Sequence, residues 1–286
     1  MKKILILGIS GMAGHVVYTY LNELNKYELL GTTNSNSFGN NSVKLDIFNI
    51  AELDDLIHNF KPDFIINCIG VLISSSKKTP ENAVLANSYL PHHLARLSYD
   101  NNFKLIHIST DCVFSGKEGR YTEKSFKNAT DLYGISKSLG EIDDQRNVTI
   151  RTSIIGPEIK SIGEGLFHWF MFQEKEINGY KRNFWSGVTT LELAYFIEWI
   201  LNTELTGLVH LTNNESISKF DLLTLISSVF NKEILISNDK EYVCDKSFIN
   251  TNNLVSYKVS TYREMLEKMK KFMENHSQLY TQYKIS

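Results

Sequence analysis

Hydrophobic residues in the first half of the chain gather in short, nearly unbroken runs: Lys3–Leu7, Tyr27–Gly31, Asp63–Cys68, Lys104–Ser109 and Val148–Arg151. Runs of this length without polar alternation read as strands covered on both faces. Between them, apolar residues recur at helical spacing over Ala13–Leu24, Ile50–Asn59, Pro80–Asn101 and Asp131–Asp144. Strand–helix alternation of this kind predicts an α/β fold, a doubly wound parallel sheet with helices on both faces. After about Arg151 the rhythm changes. Gly163–Tyr180 is aromatic-rich and irregular, Thr190–Leu201 is helical and Gly207–Thr212 is a further strand. Ser218–Phe230 reads as a helix capped by Ser216 or Ser218, and Thr261–Asn275 as a charged amphipathic helix. The last ten residues are expected to be loose. The pattern divides the chain into a first unit over 1–153, to which 186–206 return, and a smaller α/β lobe from 154–185 and 207–286.

Composition narrows the picture without redirecting it. The 286 residues are 42% hydrophobic and 22% charged, as in a soluble globular enzyme. With 30 Lys+Arg against 32 Asp+Glu the net charge is −2, which supports neither a nucleic-acid nor a membrane-surface role. Three scattered cysteines, Cys68, Cys112 and Cys244, make neither a disulfide framework nor a zinc site, and read as reduced thiols of a cytoplasmic protein. The N-terminal apolar run, Ile4-Leu5-Ile6-Leu7, stops at Gly8, too soon for a signal peptide, and no later segment is long and apolar enough to span a bilayer.

The first constellation with chemistry is Gly8-Ile9-Ser10-Gly11-Met12-Ala13-Gly14, directly after the first strand and opening the first helix. Glycines there permit a tight turn, approach of backbone to a pyrophosphate and close helix–strand packing. The helix N-terminus then offers free N–H groups and a positive dipole to the phosphates. The end of the second strand, Gly31-Thr32-Thr33-Asn34-Ser35, lacks both the acidic residue that selects NADH and an Arg that would clamp a 2′-phosphate. NADPH is therefore the expected cofactor, with NADH also admitted. The second constellation is Ser109-Thr110-Asp111 at a strand end, followed by Tyr133-Gly134-Ile135-Ser136-Lys137 in a helix. Tyr133 and Lys137 are four apart and share one helix face. A Lys ammonium beside a phenol is expected to lower its pKa toward working pH, while the Thr110 hydroxyl bonds the substrate oxygen.

These stretches together resemble the extended short-chain dehydrogenase/reductases, with their Rossmann-type fold and smaller substrate-binding lobe, and within them the dTDP-4-dehydrorhamnose reductase family. The resemblance also rests on Asp46-Ile47, Ile66-Asn67-Cys68, Ala86-Asn87, Tyr121-Thr122-Glu123, the continuation to Glu141, and Arg151-Thr152-Ser153. It implies that Thr110, Tyr133 and Lys137 are catalytic and that Tyr133 and Lys137 also meet the nicotinamide ribose. Gly8, Ser10, Gly11, Met12 and Asn34 would hold the dinucleotide from one side. Asp46 and Ile47 would flank the adenine, and Cys68, Gly70 and Asn87 would line the nicotinamide end. Asp111, Cys112, Val113 and Ile154 would face the sugar. Family members usually carry Tyr at the position of Cys112 and an aromatic at that of Ile154, so the implied substrate shifts from a rhamnose precursor toward a UDP-linked 2-acetamido-4-keto-6-deoxyhexose. The implied activity is NAD(P)H-dependent reduction of its 4-keto group in cell-surface polysaccharide biosynthesis.

Two other classes share the resemblance. Nucleotide-sugar dehydratases place Asp-Glu after the Thr, whereas here Thr110 precedes Asp111-Cys112. The regulatory subunit of methionine adenosyltransferase resembles the same family and acts by binding a partner; the Tyr133–Lys137 pair argues for an enzyme instead. The expected partner is a nucleotide-sugar substrate, with room for a homodimer and no nucleic acid or membrane. His92-His93 and His107 lack metal-ligand spacing, so no metal is expected. Lys77-Lys78 and Lys181-Arg182 read first as solvated pairs, with contact to a diphosphate as the alternative. The aromatic block Phe167-His168-Trp169-Phe170-Met171-Phe172, with Tyr180, Phe184 and Trp185, reads as core of the smaller lobe.

Overall fold

A computed structural model describes residues 1–34 and 38–284. The chain runs β1 (Lys2–Leu7), α1 (Met12–Glu23), β2 (Tyr27–Thr33), β3 (Ser42–Lys44), α2 (Ile50–Phe60), β4 (Phe64–Asn67), α3 (Ile73–Lys78) and α4 (Pro80–Ala83). A π-helical turn over Val84–Tyr89 leads into α5 (Leu90–Asp100), then β5 (Lys104–Thr110), α6 (Leu132–Leu139), β6 (Val148–Thr152) and β7 (Ile154–Ile155). The second half contributes α7 (Leu166–Met171), β8 (Glu176–Trp185), β9 (Val188–Thr189), α8 (Thr190–Leu201), β10 (Gly207–His210), β11 (Ile217–Ser218), α9 (Lys219–Val229), β12 (Leu235–Asp245) and α10 (Tyr262–Asn275).

Seven parallel strands in the order β10-β6-β5-β4-β1-β2-β3 form the central sheet. The order reverses between β1 and β4, which opens a crevice at their C-terminal ends. The unbroken apolar strands are explained by burial on two sides. In β1, Ile4 and Ile6 enter the layer that holds α1 and α8, whereas Leu5 and Leu7 enter the layer that holds α2 and α5. All four are fully buried, each contributing about 1.5–3 kcal/mol of hydrophobic stabilisation.

The second half departs from the expected division. Gly207–His210 pairs in parallel with β6 and forms the edge of the large sheet, so the segment from 207 is not wholly part of a separate lobe. Gly207, at φ +81, turns the chain there and its N–H meets the Asn147 carbonyl at 2.8 Å. The strands β8 and β12 build a second sheet in the order β11-β8-β12. Neither was evident from periodicity, because β8 carries Asn, Gly, Lys and Arg and β12 is a largely exposed edge. Nor are the described residues of the tail loose: Ser277–Leu279 form a helical turn and Tyr280 is 1% exposed within the same core as α1.

Candidate active site

The glycine turn sits at the crevice. Gly8 takes φ +80, and a Cβ on it would lie 2.9 Å from Ile69 Cγ1. A Cβ on Gly14 would lie 2.2 Å from the Gly8 carbonyl, so only glycine lets α1 close onto β1. Gly11 is the N-cap of α1, provides no side-chain cap, and leaves the N–H groups of the first turn facing outward with Ser10 and Met12 beside them. This cradle fits a dinucleotide pyrophosphate, with the helix N-terminus offering donors and dipole. A Cβ on Gly11 itself would sit 3.3 Å from the Gly8 carbonyl, in an ordinary extended conformation. Gly11→Val should therefore fold, yet weaken NADPH binding by at least tenfold in a fluorescence titration, since its branches fill the phosphate side. Unchanged affinity would remove the turn from the site.

The turn is supported from behind by the tail. His15 donates from Nδ1 to the Gly11 carbonyl at 2.8 Å and accepts at Nε2 from the Tyr280 hydroxyl at 2.9 Å. Burial holds the His15 pKa down at about 4, so the ring stays neutral and able to do both.

At the end of β2, Thr32 is not available to a ribose. Its hydroxyl accepts from the Gly8 N–H at 3.2 Å, and both Thr32 and Thr33 are buried. Among the described residues there, Asn34 alone is exposed, and Ser35 lies outside the described residues. Asp46 is exposed and closes a turn by accepting from Phe48 N–H at 3.0 Å, while Ile47 packs on the core beside it. Across the crevice, Cys68 follows β4, and burial pushes its thiol up to about 12. Gly70 lies against Asn87, whose side chain pairs with both the N–H and the carbonyl of Val71 at 2.9 and 3.0 Å. Asn87 also donates to Ser136 Oγ at 3.1 Å, fastening the loop after β4 to α6. It sits on the π-helical turn, a local widening frequent at functional sites.

Helix α6 is brought up by two glycines whose role was not read from the sequence. A Cβ on Gly134 would meet the Cys112 carbonyl at 2.2 Å, and one on Gly140 would meet the Asn87 carbonyl at 1.8 Å. Gly140 also explains why the helix stops at Leu139 rather than running to Asp144. Asp131 caps its start by accepting from Gly134 N–H at 3.0 Å. Tyr133 is thus set against Thr110 at the end of β5, where the Thr110 hydroxyl donates to Asp111 at 3.1 Å and accepts from Cys112 N–H at 3.2 Å. Lys137 reaches the same strand, donating to the Ile108 carbonyl at 2.7 Å. Below them Glu141 binds Arg151 through two bonds, of 2.8 and 2.6 Å, and accepts from Ser109 at 2.7 Å. Arg151 also donates to His210 Nε2 at 2.8 Å.

The electrostatics correct one expectation. Burial pushes the Tyr133 phenol well above its ordinary value, Cys112 and Asp111 add to the rise, and its hydrogen bond with Thr110 pulls it back only in part. The Lys137 ammonium does not offset this. Its own pKa is lowered by burial to about 8, and its proton donation goes to Ile108. Tyr133 is therefore held as the neutral phenol, a proton donor.

Of the expected sugar-facing residues, Asp111 and Cys112 stand beside Thr110, with the Cys112 thiol pushed by burial to about 12. Val113 does not face a pocket: it is 0% exposed and packs with Phe114, Tyr121 and Phe248. Ile154 is half-buried in β7, paired with Val188. Lys77 and Lys78 end a helix rather than a loop, and Lys181 is engaged by Asp221 at 2.5 Å. Within the aromatic block, Phe167 and Phe170 are core while Trp169 and Phe172 remain exposed. Sequence reasoning missed Lys219, at the start of α9, and Lys246, directly after β12, both of which have Asp111 and Cys112 among the groups acting on their ammonium charge. No local signal could reveal them, because some hundred residues separate the partners. Cavities of about 260 and 320 Å³ lie elsewhere, lined by His210–Asn214 with Val255 and Tyr257–Val259 and by Glu123–Lys127 with Arg151; neither is lined by Thr110, Tyr133 or Lys137. Among the described residues no group of three His, Cys, Asp or Glu side chains could hold a metal, and no helix is long and apolar enough to cross a membrane.

A family model described as the RmlD substrate binding domain matches residues 1–244. The chain is 26% identical over 247 residues to methionine adenosyltransferase 2 subunit beta from Xenopus tropicalis, covering 80% of this chain and 72% of that one. It is 31% identical over 143 residues to dTDP-4-dehydrorhamnose reductase from Aggregatibacter actinomycetemcomitans, 49% of this chain and 46% of the relative. The fold matches a crystal structure of dTDP-4-dehydrorhamnose reductase from Bacillus anthracis in complex with NADP, with TM-score 0.80 and 23% identity over 96% of this chain and 100% of the other.

Proposed function

We propose, because the chain belongs to the RmlD substrate binding domain family, that it is an NAD(P)H-dependent reductase of a nucleotide-activated sugar. The observation that carries this reading is that α6 packs against the end of β5, Gly134 closing on the Cys112 carbonyl and Lys137 donating to the Ile108 carbonyl, which sets the Tyr133 phenol beside the Thr110 hydroxyl. Reduction of a ketone needs a proton at the carbonyl oxygen as negative charge develops there, and a neutral phenol supplies it. Thr110 fixes that oxygen by hydrogen bonding. Lys137, still largely protonated at neutral pH with its pKa near 8, adds a positive charge beside the nicotinamide ribose and the developing alkoxide. The glycine turn from Gly8 to Met12 holds the pyrophosphate, with Cys68, Gly70 and Asn87 at the nicotinamide end. The bound nicotinamide cofactor supplies the hydride.

The substrate that fits best is a 4-keto-6-deoxyhexose on a nucleoside diphosphate, and a UDP-linked 2-acetamido sugar is favoured because Cys112 and Ile154 replace bulkier aromatics. Such a product belongs to cell-surface polysaccharide synthesis. Similarity to methionine adenosyltransferase 2 subunit beta sets out the competing role, partner binding without turnover. Mixing the protein with NADPH and a panel of 4-keto-6-deoxy nucleotide sugars separates the two: consumption of NADPH is expected, and none with any member of the panel sinks the reductase reading.

Cofactor choice is read from Asn34, the exposed group at the end of β2 among the described residues. It carries no charge to attract or repel a 2′-phosphate. Both cofactors should work, with NADPH preferred by less than about a hundredfold in kcat/KM, equivalent to about 2.7 kcal/mol. Asn34→Asp should move the preference toward NADH through repulsion of the 2′-phosphate. An unaltered preference places the ribose-reading group in another segment.

A further inference from the structure

The segment after α10 reaches two elements that meet at Met12, the first residue of α1. On one side stands the glycine turn, tied to Tyr280 through His15. On the other stands the loop 156–165, between β7 and α7. A Cβ on Gly165 would fall 3.0 Å from Met12 Sδ, so this loop borders the turn directly. Glu158 closes the loop on itself, its carboxylate accepting from Gly165 N–H at 2.7 Å. The chain's final turn then fastens it. The Tyr283 hydroxyl accepts from Glu158 N–H at 2.9 Å, and Gln282 donates to the Glu158 carbonyl. His168 adds a third tie. Its Nε2 accepts from Gly163 N–H at 3.3 Å, which leaves the ring proton on Nδ1, 2.7 Å from the Tyr283 oxygen. His15, His168, Tyr280 and Tyr283 are all buried, and the two tyrosine rings lie 6.5 Å apart. One short stretch of chain therefore fixes both neighbours of Met12 through buried hydrogen bonds, and it lies beyond residue 244, where the family match ends. A glycine turn and a glycine-bearing loop lose conformational freedom when a ligand orders them. A framework that orders them beforehand lowers that cost and tightens binding.

We infer that Tyr280 and Tyr283 are positioning residues of the dinucleotide site, Tyr280 setting the glycine turn through His15 and Tyr283 holding the loop 156–165 as a wall beside it. The inference rests on the reading of that turn as the pyrophosphate cradle, and not on which sugar is reduced. Each tyrosine acts through a buried histidine. Loss of its hydroxyl loosens the site and removes no group that would meet the cofactor.

The test is the affinity of the full chain for NADPH, by fluorescence titration, in Tyr280→Phe, Tyr283→Phe, His15→Asn and the double variant His15→Asn with Tyr280→Phe. Phenylalanine keeps each ring in the core, and a urea-unfolding midpoint shows that each variant is folded. Asparagine keeps a donor for the Gly11 carbonyl but no longer reaches Tyr280. Each single variant should weaken NADPH by about three- to tenfold, the worth of one lost hydrogen bond. The double variant should bind within about twofold of His15→Asn alone, because the hydroxyl acts through the histidine. A purely structural role would lower the urea midpoint and leave the affinity of the folded protein alone. Wild-type affinity in folded Tyr280→Phe and Tyr283→Phe overturns the inference, as do additive losses in the double variant. Wild-type affinity in Tyr283→Phe alone overturns the loop as a wall. Gly11→Val separates this failure from that of the turn itself. If it loses NADPH while both Phe variants keep it, the cradle stands and the inference falls. If wild type binds no NADPH, or Gly11→Val binds it equally well, both fall.

Discussion

Tyr133→Phe is expected to lower kcat by about 10²–10⁴ while NADPH affinity stays within twofold of wild type, because the substitution removes one oxygen whose proposed task is proton transfer. The ring remains to fill its place between Thr110 and α6, and Gly134 still lets the helix approach Cys112. Steady-state kinetics with the preferred keto sugar and a fluorescence titration with NADPH measure the two quantities separately. A variant that keeps more than about a tenth of wild-type kcat removes Tyr133 as the acid. A large loss of cofactor affinity instead makes it a binding group.

The second large effect concerns the ion pair beneath the site. Glu141 and Arg151 are both 1% exposed along their side chains, and the pair is joined by Ser109, Lys127 and His210. Arg151→Leu leaves Glu141 in the core with Lys127 as its remaining cationic partner, and should destabilise the protein by about 3–5 kcal/mol in urea unfolding. Replacing both partners with apolar residues of similar size should recover much of the loss, since no charge is then left uncompensated. Burial opposes ionisation of Glu141, yet Arg151, Lys127 and Ser109 outweigh it and hold the carboxyl below its usual range. The sign follows: a depressed carboxyl pKa contributes stability above the ordinary Glu range and loses it as the pH falls through the lowered value. A loss under about 1 kcal/mol for Arg151→Leu would mean that the pair is not what ties α6 to the sheet.

How far the sequence could be read depended on whether a contact was local. The strands β1, β4, β5 and β6 were legible because each is buried on both faces, so an unbroken apolar run has no competing explanation. Ser218, one of the two expected caps, and Thr261, expected only as a helix start, cap their helices through residues three positions on. The glycine turn was legible for the same reason, since Gly8, Gly11 and Gly14 act on one another. What escaped depended on distant partners. Polar residues on β8 and β12 hid the second sheet, whose strands find each other across some sixty residues. The family resemblance put Val113 on the sugar side with Asp111 and Cys112, but the 3₁₀ turn there rotates it into the Phe114 cluster. The direction of the Tyr133 shift could not be read from i,i+4 spacing, because burial of the phenol and the bond from Lys137 to Ile108 both depend on the assembled sheet. Tyr280 looked like loose tail until its partner, His15, was placed at the other end of the chain.

The central claim is that hydride passes to the sugar carbonyl while Tyr133 protonates its oxygen. NADPH deuterated on the transferred face of the nicotinamide C4, incubated with a 4-keto-6-deoxy nucleotide sugar, tests that most directly. Either face of the labelled cofactor is tried in turn, and the product is read by NMR and mass spectrometry. The account predicts one deuterium at sugar C4 with one of the two labelled cofactors, in step with cofactor oxidation and suppressed in Tyr133→Phe. A sugar recovered unreduced, or reduced without deuterium at C4 from either cofactor, would contradict it.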